Sequence, residues 1–275
     1  MTSSAPTGPS LLLPDRRQTR PWHRVCAVLG GLLVIGMYIA IVLARPVDGT
    51  QGLAAGASGW IWAGYVLAAL LLLAGTLPGL SAAVLVLIPV ALVLNILLGQ
   101  FVGSTLVPFY LDSVGTVLVG LLAGRRAGAA TGVLSSLVWS LFNPTLLPFA
   151  SVAGMIGLFA GVAGRWGAVR RLWSAPVMGL LTGIISGMLS APIAAFVYGG
   201  TTGATTGAIV SAFTAYGDSL LSAVTKQALI SDPADKAITF LAAALLLRAL
   251  PPRVLRRYPL GRGPGAPRRT RTGDR

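Results

Sequence analysis

The chain has 275 residues, a formal net charge of +14 and 35 glycines, with 55% hydrophobic and 10% charged residues and a mean hydropathy of +0.80. From Gln51 to Leu111 it contains no Asp, Glu, Lys, Arg or His, which excludes a water-soluble domain, because a bilayer-crossing helix needs only about 20 such residues. The positive charge lies in the two tails and in short clusters between apolar runs. That is the pattern of Lys and Arg retained on one side of a membrane, and it excludes a nucleic-acid surface.

Residues 1–23 are polar and basic and read as a cytoplasmic tail. The run Arg24–Leu43 is too long for the apolar part of a signal peptide and lacks a small-residue cleavage site, so it reads as a retained helix closed by Arg45–Pro46. A second crossing is expected over Trp60–Leu77. A Leu77–Ser81 turn leads to a third, Ala82–Gln100, in which Pro89 is expected to introduce a kink. The loop Phe101–Leu111 precedes a short helix, Asp112–Gly124, ended by Arg125–Arg126. The next helix, Ala127–Phe142, stops at Asn143-Pro144, a strong turn signal.

Leu147–Gly164 follows, then a basic loop with Arg165, Arg170 and Arg171, then a long helix over Ala175–Tyr198. Gly199–Pro233 is rich in glycine and threonine and carries Asp218, Lys226 and Asp232, so it reads as an external or re-entrant cap. Ala234–Leu250 reads as the last crossing, and residues 252–275 as an Arg-rich cytoplasmic tail. The whole is an all-α polytopic membrane protein with eight expected crossings. With both termini inside a prokaryotic cell membrane, every basic cluster between crossings falls inside as well.

The chain has no Glu, one Cys and one His. Cys26 reads as a packing residue and His23, beside Arg24, as an interfacial one. No phosphate-binding G-x-x-x-x-G-K-[ST] loop, H-E-x-x-H pair or Ser-His-Asp set is present. An enzyme is therefore not expected, nor a catalytic residue, a metal site or a cofactor. Binding or translocation is left.

The remaining polar residues gather toward the external face: Asn95, Tyr110, Asp112, Thr116, Trp139, Asn143, Ser190 and Thr201. Amide, acid and aromatic groups near a membrane need partners or a wet cavity, and together they fit a small-molecule pocket. Each has an ordinary structural role beside this one. Asp112 can cap the helix that it opens, Asn143 can shape the turn before Pro144, and Trp139 and Tyr110 can anchor at the interface. Gly179, Gly183 and Gly187 form a stripe at four-residue spacing, and Ala123–Ala127 and Gly157–Gly161 repeat it. Such stripes let helices approach closely, within the chain or against a partner.

The order of short motifs carries a family resemblance. Val107-Pro108-Phe109-Tyr110-Leu111-Asp112-Ser113 opens a helix, Ala123-Gly124-Arg125-Arg126-Ala127-Gly128 makes a hairpin, and Asn143-Pro144-Thr145-Leu146-Leu147-Pro148 begins a crossing. Ser190-Ala191-Pro192-Ile193, Gly199-Gly200-Thr201-Thr202-Gly203 and Ser231-Asp232-Pro233-Ala234-Asp235-Lys236 follow. From about Ser81 to Arg257 the chain resembles the substrate-binding S component of energy-coupling factor (ECF) transporters. The resemblance implies a six-helix bundle over residues 81–251, with the cap at 199–233, preceded by two additional helices over 24–80 that the family lacks. It further implies capture of a vitamin-like or nucleobase-like micronutrient at the external face. Delivery would run through a membrane T component and two cytoplasmic ATPases, with Ala123, Ala127, Gly179, Gly183 and Gly187 meeting the T component.

Phe109, Tyr110 and Trp139 favour a flat heteroaromatic ligand, and riboflavin, thiamine precursors, nucleobases and cobalamin-like compounds all stay open. Two other classes compete. A stand-alone ion-coupled carrier calls for buried carboxylates near the membrane midplane, and a non-transporting scaffold would leave the polar cluster unused.

Overall fold

The computed structural model describes residues 20–45, 47–48, 52–53, 55–105, 107–167, 171–200, 203–255 and 258. The tail before Arg20, most of the Arg-rich C-terminal tail, Arg170 and Thr201 lie outside the described residues. Helix α1 spans Pro21–Ala44, opening with a proline where a missing N–H costs nothing and ending at Arg45 in the left-handed region (φ 42°). A two-residue antiparallel bridge, Val47–Asp48 against Gly52–Leu53, links it to α2, Ala55–Thr76. Then come α3 (Ala82–Gly103), α4 (Val114–Ala123), α5 (Arg125–Ser140) and α6 (Ala150–Arg165), with a tight turn of helix at Pro144–Phe149 before α6. Helices α7 (Ser174–Tyr198), α8 (Ala204–Ala215) and α9 (Leu220–Ala249) complete the bundle.

Five segments are long and apolar enough to cross a membrane: Pro21–Ala44, Gly59–Gly79, Ala82–Gly103, Pro144–Arg165 and Ser174–Tyr198. Their outward faces carry large exposed apolar side chains, such as Val86, Val90, Val93 and Leu97 on α3. Lipid satisfies such a surface and water does not. The chain is an all-α membrane protein. Helix α4, with 10 residues, rises only about 15 Å, half of a hydrocarbon core of about 30 Å.

The expected last crossing, Ala234–Leu250, is only the second half of a continuous 30-residue α9. Most of the second half of the expected cap, up to Pro233, belongs to this helix, and only the first part, with α8, lies apart from it. Pro233 and the charges around it favour a break on local grounds. The helix persists because Gly183 of α7 makes room: a Cβ there would lie 2.4 Å from the Pro233 Cα.

The contact between α7 and α9 is the most extensive in the molecule. A Cβ on Gly179 would meet the Lys236 carbonyl oxygen at 2.3 Å, and one on Gly187 the Ala228 carbonyl oxygen at 3.1 Å. The glycine stripe expected to face a partner is therefore consumed inside the chain. Ala127 is likewise buried in the core and Ala123 packs half-buried against it. Helices α5 and α6 meet in the same way, since a Cβ on Gly157 would lie 2.0 Å from the Gly128 carbonyl oxygen. Gly124, at φ 92°, is the single residue between α4 and α5, a conformation open to glycine and closed to most side chains.

The two N-terminal helices are part of this core. Tyr65 on α2 donates to the Pro148 carbonyl at 3.2 Å and shares a 2.6 Å hydrogen bond with Ser151, whose hydroxyl donates to the Val34 carbonyl of α1 at 3.1 Å. Tyr38 donates to the Leu189 carbonyl of α7 at 3.1 Å. The Arg45 guanidinium sits 4.1 Å from the centroid of the Phe196 ring.

Gly157→Val is expected to lose about 1–3 kcal/mol or more through overpacking, read as a lowered melting midpoint in detergent. Gly31→Ala, where a Cβ meets nothing within 4 Å, is expected to melt at or above the wild-type midpoint.

Candidate functional site

Helix α9 carries Asp232, Asp235 and Lys236 on one face, at the three- and four-residue spacings that make helical neighbours. The Lys236 ammonium donates to Asp112 Oδ1 at 3.0 Å and to Asp235 Oδ2. The Lys236 and Asp235 side chains are 7% and 3% exposed, that of Asp112 33%. The other Asp235 oxygen accepts the backbone N–H groups of Tyr110 at 3.2 Å and Leu111 at 2.8 Å. Leu111 adopts a φ of 49°, unusual for a branched side chain and held by those bonds. The network thus ties the segment before α4 to the middle of α9.

Above this network lies a cavity of about 180 Å³. The start of α4, the end of α5, the start of α6, the second half of α7 and the first half of α9 surround it, all at one end of the bundle. The basic residues Arg125, Arg126, Arg165, Arg171 and Arg248 lie at or beyond the opposite helix ends. Trp139, Phe149 and Tyr198 supply aromatic walls, the last two stacked with centroids 5.9 Å apart. Asp232 lines the cavity, and its carboxylate accepts the hydroxyls of Ser190 and Ser231, each at 3.3 Å. Gln227 lines it too, its amide donating to Ser231 at 2.8 Å. Ser113 is 3% exposed, and its hydroxyl has no hydrogen-bond partner among the described residues.

Of the residues singled out from sequence, Tyr110, Asp112, Thr116, Trp139 and Ser190 line this cavity. Asn95 does not. It is fully buried, its amide donates to Thr116 at 2.8 Å and Ser135 at 3.0 Å, and its oxygen accepts the N–H of Gly115 at 2.7 Å and of Thr116 at 3.3 Å. With donors and acceptor all used, it clamps α3 to α4 and α5. Asn143 is also absent from the lining, and accepts the Thr145 hydroxyl at 2.6 Å and its N–H at 3.3 Å, so it shapes the turn. Asp112 binds Lys236 rather than capping α4, whose first residue follows Ser113 without a side-chain cap bond. Phe109 is not among the lining residues, and Thr201 lies outside the described residues.

Asp232, Asp235 and Lys236 belong to the site although the sequence pattern does not single them out for it, whereas Gln227, one of the polar residues that the sequence places toward the external face, lines the cavity. The signal of the first three is a set of charged side chains on one face of a helix that ends in an apolar run, where each needs a partner. The nearby Asp218 is a different case. Lys226 donates to both of its oxygens at 2.7 Å and holds its carboxyl below the usual range, Ser222 adding to the effect, on the open surface.

Lys236→Met is expected to destabilise by about 3–5 kcal/mol, because it leaves Asp112 and Asp235 without their cation. Adding Asp235→Asn should restore part of that loss in thermal melting. Asn95→Leu, which orphans two backbone N–H groups, is expected to cost about 2–4 kcal/mol by the same measurement. No family model matches the chain, and no curated protein and no solved structure matches it, so the cavity is interpreted from its own chemistry.

Proposed function

We propose that the chain is the substrate-binding membrane subunit of an ECF-type importer, capturing a micronutrient in the cavity at the bundle end opposite the basic loops. The observation that carries this reading is the cavity itself. It is partly polar, walled by aromatic rings, supplied with an unused hydroxyl on Ser113, and confined to one end of an apolar bundle. In this reading the bundle crosses eight times with α4, α5 and α9 as the shorter or more polar crossings. Both termini are cytoplasmic and the cavity opens outside, as the retention of basic residues inside requires. ATP hydrolysis belongs to two separate cytoplasmic subunits reached through a T component.

The cavity size selects among ligands. A void of about 150 Å³ accommodates one benzene ring, so 180 Å³ suits a single substituted ring such as a nucleobase or a thiamine precursor.

A second reading, a stand-alone ion-coupled carrier, draws on one specific observation: three carboxyls, on Asp112, Asp232 and Asp235, surround a buried lysine within the bundle. Ionisable clusters of that kind serve as ion relays in secondary transporters. Affinity purification of the tagged chain in mild detergent, followed by uptake assays, separates the two. The importer reading expects a membrane T subunit and two ATPases to copurify, and uptake to vanish when those ATPases lose their nucleotide site. Uptake by the chain alone in liposomes, driven by an ion gradient, would overturn it in favour of the carrier. In either system Asp112→Ala and Trp139→Ala should each reduce uptake by about tenfold or more, the scale of one lost charge-assisted contact.

A further inference from the structure

We infer that the cavity takes a small organic cation, a single flat ring bearing one positive charge, whose charge docks on Asp232. This rests on the reading of the cavity as a ligand site and adds the chemical class of the ligand.

The charge inventory points this way. Among the described residues lining the cavity there are three carboxyls and one cation, Lys236. That cation is already engaged by Asp112 and Asp235. Asp235 has its second oxygen occupied by two backbone N–H groups. Asp232 alone has no ion-pair partner among the described residues, only the hydroxyls of Ser190 and Ser231. Lys236, one helical turn on, serves three carboxyls and makes its ion pairs with Asp112 and Asp235, so a ligand that brings a second cation offsets the negative charge left over.

Two independent features agree. The enclosed Ser113 hydroxyl has no partner among the described residues, leaving an oxygen that can accept an N–H and an O–H that can donate. Trp139, Phe149 and Tyr198 present aromatic rings to the same space, and the face of an aromatic ring attracts cations. A metal ion is the wrong cation, because no group of three or more His, Cys, Asp or Glu side chains among the described residues is placed to hold one. An anionic ligand would face three carboxyls against one lysine.

The test uses the full chain in lipid nanodiscs and three probes that share one ring: 1-methylnicotinamide, a cation; nicotinamide, neutral; and nicotinate, an anion. Dissociation constants are measured by calorimetry at neutral pH. The cation is expected to bind at least about tenfold more tightly than the neutral amide, with nicotinate weakest. Asp232→Asn is expected to shrink the cation-to-neutral ratio to below about threefold. A melting curve confirms that the variant is folded. If it is not, Ser190→Ala, which keeps the charge and removes one donor to it, should retain the cation preference.

Equal affinities, or preference for the neutral or anionic probe, would overturn the inference and leave the importer reading intact. Binding of none of the three at millimolar concentration would also overturn it. The importer reading fails separately, through uptake that needs no ATPase.

Discussion

The pairing of Lys236 with Asp112 and Asp235 is the constraint around which the rest of this molecule is arranged. An ammonium group at the centre of an apolar bundle stands only if carboxylates accompany it, and each partner here comes with its own structural consequence. Asp235 shares the helix with the lysine and uses its free oxygen to gather the amides of Tyr110 and Leu111. Asp112 is the next residue of the same loop. The segment between α3 and α4, with Leu111 in a backbone region that bulky residues avoid, is therefore held in place by charge. The cavity floor is the by-product of that arrangement.

Glycine makes the pairing geometrically available. Helix α9 approaches α7 closely because Gly179 and Gly183 have no side chain to place against the backbone of Lys236 and Pro233. In a lipid environment no hydrophobic force drives helices together, so close packing and internal hydrogen bonds must do so. Four-residue glycine spacing reads equally well as an internal seam or as a docking face. Here it is a seam, and any partner subunit meets other faces. The two N-terminal helices follow the same logic with hydrogen bonds in place of glycines. Tyr65, Ser151 and Tyr38 join them to α6, α7 and the turn before α6, which makes them a wall of the bundle rather than a separate module.

The ends of the bundle are chemically unlike. One collects arginines at the helix junctions, and the other collects carboxyls, hydroxyls and aromatic rings around a void the size of one ring. The same buried acids that would hold a ligand would also suit an ion relay.

Local signals carry much of the architecture. The membrane character, the positions of most of the helices and a tight hairpin near Arg125–Arg126 follow from long uncharged runs, from proline and glycine punctuation and from basic clusters; only the structure narrows that hairpin to the single residue Gly124. Tyr110, Asp112, Thr116, Trp139 and Ser190 stand out in the sequence and line the cavity, because a polar or aromatic side chain in an apolar chain is conspicuous wherever it lies. Asn95 is equally conspicuous, and only three-dimensional packing shows that neighbours on α4 and α5 already use both its donors and its acceptor. Sequence alone determined that the chain is a helical membrane protein with polar groups needing company. Tertiary structure decided which company each one keeps. In the sequence, Asp232 reads as the end of an external cap and Asp235 and Lys236 as the start of the next crossing, on either side of a helix-breaking proline. They are the heart of the site because the glycines of α7 let α9 run straight through Pro233, and a charge's environment is set by residues far away in the chain.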